Sequence, residues 1–173
     1  MTLSDEQRER VATPHDANQP VEVWEDITLA GAGSLLSSAQ DMIRYMRSHW
    51  SERDGTLGRA MTLAVRKHRR TDSPQTAIGL GWHVDSENAL DIVWHNGGSG
   101  GSRSYVAMLP DRQIGVCVLA NWSQANVDEL GRKLVYLLLL ERPASATTEA
   151  EQAHALEPAA RSDSNGKSSP PNQ

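Results

Sequence analysis

The segment of this sequence that departs most from ordinary composition is Trp94-His95-Asn96-Gly97-Gly98-Ser99-Gly100-Gly101-Ser102, where a histidine and an amide run directly into four glycines. Glycine has no Cβ, so backbone N–H groups in such a stretch can approach a ligand closely. That property suits a cradle for an anion, or for the oxyanion of an acyl-transfer reaction. A phosphate loop is a poor match, because no lysine and hydroxyl pair follows the glycines and no G-x-G-x-x-G precedes a helix. The bland alternative is a glycine-rich turn after a core histidine, and the segment alone does not separate the two. Other chemistries find less support. His15, His49, His68, His83, His95 and His154 are scattered without HxH or HExxH spacing, so neither a metal nor any other cofactor is expected. Serine, histidine and aspartate are too frequent for spacing to exclude a triad, but the G-x-S-x-G elbow is absent.

Such a stretch must be held by the elements around it. Residues 78–84, 90–94, 103–109 and 114–120 form short extended segments between glycine and proline turns, the pattern of an antiparallel meander. Pro110-Asp111-Arg112-Gln113 supplies a hairpin turn, with proline fixing φ and aspartate able to bond its own backbone. Ile114-Gly115-Val116-Cys117-Val118-Leu119-Ala120 is apolar at successive positions, as expected of a strand covered on both faces and paired on both edges. As the last strand of a meander it would instead be an exposed edge. Further strands are therefore expected there, supplied by missing sequence or by another chain.

Helices are expected on either side of the meander. A short one starts at the N-cap Ser4 and runs to Arg10. Ser37 with Gln40, or Ser38 with Asp41, forms a capping box ahead of Met42, Ile43, Met46 and Trp50, which share one helical face. A second helix is expected over 56–68 through Leu57, Met61 and Leu63, closed by Pro74. After Asn121 the 3.6 period returns, and Val127, Leu130, Leu134, Leu137 and Leu138 make the apolar stripe of a terminal helix lying across the sheet.

With 173 residues, 38% of them hydrophobic, the chain can bury one core. We expect a polar lead-in over 1–22, a folded part over 23–142 and a disordered tail over 143–173, where large apolar side chains all but vanish. A formal charge of −5 and a pI near 5.6 argue against nucleic acid as a partner. The one dense basic run, Arg66-Lys67-His68-Arg69-Arg70, is expected to be the solvated end of the second helix. The single Cys117 rules out an internal disulfide and sits in an apolar run as a small core residue. The first eight residues lack the basic and apolar regions of an export signal, so the default expectation is a cytoplasmic protein. The longest apolar stretch, 134–140, falls far short of the ~20 residues that span a bilayer.

A resemblance narrows these options. Leu29-Ala30-Gly31-Ala32-Gly33-Ser34-Leu35-Leu36-Ser37-Ser38-Ala39-Gln40-Asp41-Met42 resembles the turn and helix of class C β-lactamase-like serine hydrolases, which include D-alanyl-D-alanine carboxypeptidases and related esterases. Gly79-Leu80-Gly81-Trp82, the segment His95 to Gly101, Leu109-Pro110-Asp111 and Val118-Leu119-Ala120-Asn121 then follow in the order and spacing of that family's C-terminal portion. The resemblance implies an α+β fold of partial β-lactamase/transpeptidase type. Its antiparallel sheet would have about three to four strands, with flanking helices and a terminal helix. It also implies that His95-Asn96-Gly97 is the family's third active-site element, often Lys-Thr-Gly or His-Thr-Gly. On that assignment His95 holds a substrate carboxylate or tunes a base, Asn96 donates from its amide, and Gly97 leaves room for the substrate backbone with Ser99 beside it. The N–H of Gly98 would complete the oxyanion hole, a contribution worth ~10²–10³ in rate in comparable enzymes.

The same resemblance shows two departures. An imidazole changes charge between about pH 5 and 8, so a histidine grips a β-lactam carboxylate less firmly than a lysine does. The S-x-x-K nucleophile motif and the Y-x-N or Y-x-S element, which activate an acyl-transfer serine, have no counterpart in the part expected to fold. The one S-x-x-K, Ser164 to Lys167, falls in the tail, and Tyr45, Tyr105 and Tyr136 are followed two residues on by Arg47, Ala107 and Leu138. The expectation is a truncated serine hydrolase, inactive alone, whose complete form acts on a small-molecule or peptide substrate. The alternative is a non-catalytic peptide- or peptidoglycan-binding module. An interaction protein built around the basic run and tail ranks behind both.

Overall fold

A computed structural model describes residues 3–24, 30–33, 35–51 and 54–141. Leu29, Ser34, the tail over 143–173 and the Ser164 to Lys167 motif lie outside the described residues. Helix α1 spans Asp5–Glu9, followed by a hairpin of β1 (His15–Asp16) and β2 (Gln19–Pro20), then α2 (Ala30–Gly33), α3 (Ala39–Ser51) and α4 (Gly55–Ala64). The sheet follows as β3 (Arg69–Arg70), β4 (Thr76–Ile78), β5 (His83–Glu87), β6 (Leu90–Ser99), β7 (Ser102–Leu109) and β8 (Ile114–Ala120), and α5 (Val127–Glu141) closes the fold. The six strands are hydrogen-bonded in sequence order, and every neighbour is antiparallel. This is the expected α+β meander, with six strands where three to four were expected.

Side chains alternate across the sheet, and each face has its own cover. Ala77, Val84, Val93 and Met108 line up across β4 to β7 and pack with Trp50, Val65 and Trp82 on the side of α3 and α4. In β8, Gly115 continues this row, and a Cβ there would stand 3.1 Å from Met46 Sδ, so α3 lies flush on the strand. On the other face Ile92, Tyr105, Ala107, Leu109, Ile114 and Val116 bury against Val127 and Val135 of α5. At Gly131 the helix meets the Tyr105 ring, where a Cβ would come within 2.1 Å of Cδ1. Full burial of side chains this size contributes about 1.5–3 kcal/mol each, so the sandwiched middle strands carry most of the stability. β8 is covered on both faces, but among the described residues no strand pairs with its outer edge, and Leu119 there is 44% exposed.

Several local expectations are corrected. The span 78–84 is two strands, because Gly79 to Trp82 bends between them: Gly81 has φ +75°, Leu80 N–H donates to Ala64 O, and Gly79 N–H donates to Trp82 O. Helix α4 stops at Ala64, short of His68, since that carbonyl is engaged by the bend. The basic run is consequently no helix end: Arg69 and Arg70 pair with Ile78 and Ala77, and Lys67 forms an ion pair with Asp91 at 2.6 Å. On α3, Met46 is buried but Ile43 is half-exposed, and the buried partner one turn on is His49. On α5 the buried face runs through Val127, Gly131 and Val135, which leaves Leu130 and Leu137 facing solvent. The caps agree better with expectation. Ser4 and Gln7 form a reciprocal capping box, and Ser38 Oγ accepts from Asp41 N–H at 3.1 Å.

Candidate functional site

Strand β6 is longer than the neighbour on its outer side. β5 ends at His83, opposite Trp94, whereas β7 pairs with β6 as far as Ser99 opposite Ser102. Among the described residues the strand from His95 to Ser99 therefore has a partner on one side only, so Gly97 and Gly98 lie on an edge while Gly100 and Gly101 form the turn. His95 through Gly98 are exposed and Ser99 is half-buried. In an antiparallel ladder alternate residues turn both N–H and C=O toward a given edge, so this stretch presents unpaired backbone donors and acceptors at regular spacing. The positive-φ bend at Gly81 takes the chain away at this point and opens the edge.

The expected site residues are contiguous on that edge but alternate between faces. His95, Gly97 and Ser99 share the face of Val93, which α3 and α4 cover further down; Asn96 and Gly98 share the face of Ile92, toward α5. The His95 ring lies 5.7 Å from the His83 ring, which stacks on Trp94 at 4.5 Å. Asn96 Nδ2 donates to Asp128 Oδ2 at 3.0 Å, tying the strand to the first turn of α5; the other carboxylate oxygen is buried without a partner. At Gly97 a Cβ would stand 2.8 Å from Ser104 Oγ, and at Gly98 it would fall 1.9 Å from Arg103 Nη1, so a guanidinium occupies the place of a side chain. A cavity of about 410 Å³ between the strand and α5 is lined by Asn96, Gly97, Gly98, Arg103, Val127 and Asp128.

The remaining two glycines do different work. Neither Gly100 nor Gly101 has positive φ, so close approach rather than backbone freedom requires them. A Cβ on Gly100 would meet Trp24 Nε1 at 2.5 Å, and one on Gly101 would meet Val21 Cγ2 at 2.5 Å and His15 N at 2.6 Å. The chain from Pro14 to Trp24 thus straps the β6–β7 turn. His15 N–H is shared between Gly101 O and Asn121 O, Asn121 Nδ2 donates to Thr13 O at 2.9 Å, and Ser123 Oγ donates to Asp16 Oδ1 at 2.6 Å.

The groups that would activate a nucleophile are not beside this edge among the described residues. Lys67 and Lys133 are each held by a carboxylate, Asp91 and Glu129, at 2.6 Å. Tyr105 is 1% exposed and stacked on Trp94; burial pushes its phenol up, opposed by a hydrogen bond and charge from Arg132. Burial likewise raises Tyr45, and a hydrogen bond to Glu87 raises Tyr136. Among the described residues no group of three or more His, Cys, Asp or Glu could hold a metal ion, and no helix is long and apolar enough to cross a membrane. Asp128, Arg103 and Trp24 were not singled out from sequence. An acidic residue early in a helix signals only favourable dipole placement, and nothing local marks Arg103 or Trp24 as neighbours of glycines.

The structure is an antiparallel meander with helices on both faces and one strand whose edge is left open beside the terminal helix. The chain belongs to the Beta-lactamase family, whose model matches residues 1–141. It is 32% identical over 106 residues to the D-alanyl-D-alanine-carboxypeptidase/endopeptidase AmpH of Escherichia coli K12, covering 54% of this chain and 28% of that protein. It is 26% identical over 127 residues to the unguisins hydrolase ungD' of Aspergillus campestris, covering 70% of this chain and 24% of that protein. The octameric penicillin-binding protein homologue from Pyrococcus abyssi shares the fold at a TM-score of 0.52 and 23% identity, over 60% of this chain and 24% of that one. The chain spans about a quarter of the length of the curated relatives it matches.

Proposed function

We propose that this chain supplies one wall of the acyl-transfer site of a β-lactamase-related serine hydrolase that cleaves an amide or ester through an acyl-serine. The observation that carries this reading is the open, exposed edge of β6 from His95 to Ser99. A substrate backbone laid along it continues the ladder where β5 stops. Gly97 and Gly98 keep that approach clear, and the Gly98 N–H is the oxyanion donor on this side. His95 meets the substrate's carboxylate or a neighbouring base. Asn96, fixed by Asp128, orients the substrate from the α5 side.

On this reading the serine, its lysine and the tyrosine come from outside residues 1–141, and the chain by itself does not turn over. Positioned donors without a nucleophile cannot replace the covalent step. The outer edge of β8 is where a missing N-terminal half, or failing that a second copy, adds a strand. A fluorescent penicillin or a fluorophosphonate should leave the purified 173-residue chain unlabelled; covalent labelling that survives denaturation would show that the nucleophile is present after all.

A second reading is favoured by one observation: both described lysines are tied up in surface ion pairs. The edge would then serve binding alone, capturing a peptide or peptidoglycan strand by augmentation of the sheet. Ligand-induced amide shifts at Gly97 and Gly98 without turnover, in a protein purified from its native source at its native length, favour this over the hydrolase.

A further inference from the structure

We propose that His83 and His95 together form a two-imidazole site for an exchangeable divalent transition-metal ion of the zinc type, placed where β5 ends beside β6. The inference rests on the two rings alone and is independent of the hydrolase reading above.

The two residues stand apart in the sequence, in none of the short spacings that mark a metal motif, and the β5–β6 hairpin brings them together. His83 is the first residue of β5 and pairs with Trp94, so His95 follows directly on the opposing strand. Side chains at these two positions start from opposite faces of the sheet. Beyond His83, among the described residues, β6 has no partner on that side, and the two rings meet at the strand end with centroids 5.7 Å apart and planes inclined by 32°.

That separation suits one ion. Zn²⁺ binds imidazole nitrogen at about 2.0–2.1 Å, so with roughly 1.1 Å from nitrogen to ring centre a tetrahedral ion holds two ring centres about 5 Å apart. A wider angle at the ion, or a small turn of the exposed His95, makes up the difference. His83 is the fixed member: it is half-buried, and its ring stacks on Trp94 at 4.5 Å with the planes 21° apart. Trp94 is itself held, with Nε1–H donating to Asp85 Oδ2 at 2.7 Å. A ligand already ordered by packing loses little freedom when an ion binds. The Arg132 guanidinium 5.3 Å from the Trp94 ring is matched by the Asp85 carboxylate on the same indole. Among the described residues no third His, Cys, Asp or Glu completes the set. The remaining positions on the ion therefore go to water, which makes it exchangeable. Imidazole ligands select Zn²⁺, Cu²⁺ and Ni²⁺ over the oxygen-seeking Mg²⁺ and Ca²⁺.

The test titrates the full 173-residue chain with zinc chloride at about pH 7.5, where imidazole is mostly neutral, and follows the ring 15N and 1H resonances of all six histidines. His83 and His95 should shift together along one binding curve, and Mg²⁺ should leave both in place. The histidines outside the pair should respond only at about tenfold higher zinc, because a lone imidazole lacks the second ligand. His95→Gln, and His83→Phe, which keeps a ring on Trp94, should each weaken zinc binding at the remaining histidine about tenfold or more. Two independent single-imidazole sites would instead give separate curves and keep their affinity when the partner is replaced. Either of those results overturns the site, as does the absence of any shift at millimolar zinc. Should His83→Phe fail to fold, the joint titration of the unmodified chain and the exposed His95→Gln decide the question by themselves.

Discussion

At the scale of single residues, the glycines and the buried histidine carry the clearest consequences. Gly131 of α5 sits against a Tyr105 ring that is 1% exposed, so an added methyl has backbone on one side and a packed ring on the other. Gly131→Ala should cost about 1–3 kcal/mol by overpacking, seen as a lower urea midpoint with an unchanged slope. Gly98→Ala meets only the mobile end of Arg103. It should leave the midpoint nearly unchanged while displacing the guanidinium, which NMR of the arginine side chain reads directly. His49 is 5% exposed, with both ring nitrogens unpartnered and the edges of Tyr45 and Trp82 around it, and burial holds its pKa below the usual imidazole value. The unfolded chain takes up a proton below about pH 6.5 that the folded chain resists, so this group's contribution is whole above that pH and is lost as pH falls. His49→Phe should therefore flatten the fall in thermal midpoint between pH 7 and pH 5 relative to the parent; parallel curves would refute the assignment. None of this was legible in the sequence, where His49 was one scattered histidine and Ile43 took its place in the apolar face.

At the scale of elements, the difference in length between β5 and β6 opens the edge of β6, and Asn96 to Asp128 links that strand to the terminal helix. Asp128→Ala should release the Asn96 side-chain amide, seen as loss of its distinct NMR shift, with a thermal midpoint changed little because the pair is only partly buried. The α3 cap offers a cleaner energetic measurement: Ser38→Ala removes the acceptor for Asp41 N–H and should cost about 1 kcal/mol. The meander order and the strands over 90–94, 103–109 and 114–120 were readable from alternation and turn residues, but β3 and the division of 78–84 were not. The bend at Gly79 to Trp82 and the continuation of β6 through the glycines were not, because each depends on partners far along the chain: Ala64 O for the bend, and Arg103 to Tyr105 for the glycine strand. A sequence window sees glycine as a turn former, while a neighbouring strand supplies the hydrogen bonds that keep it extended.

At the scale of the whole molecule, one sheet is covered by α3 and α4 on one face and by α5 on the other, and among the described residues the unpaired stretch of β6 and the outer edge of β8 differ in kind. The edge of β6 is polar backbone beside exposed side chains; that of β8 is apolar, with Leu119 exposed. Sedimentation of the 173-residue chain should show concentration-dependent self-association that Leu119→Lys suppresses, since a charge on an apolar edge blocks strand addition; a chain that stays monomeric without the substitution rules out a second copy as the partner of the β8 edge. The sequence by itself determined the class of fold, the strand order, the caps at Ser4 and Ser38 and the family, because alternation, capping and ordered motifs are local chemistry written in consecutive residues. Only the tertiary structure decided which side of each helix is buried, where β5 stops, which glycines face a cleft and which face Trp24 and Val21, because these follow from distant segments competing for the same surface.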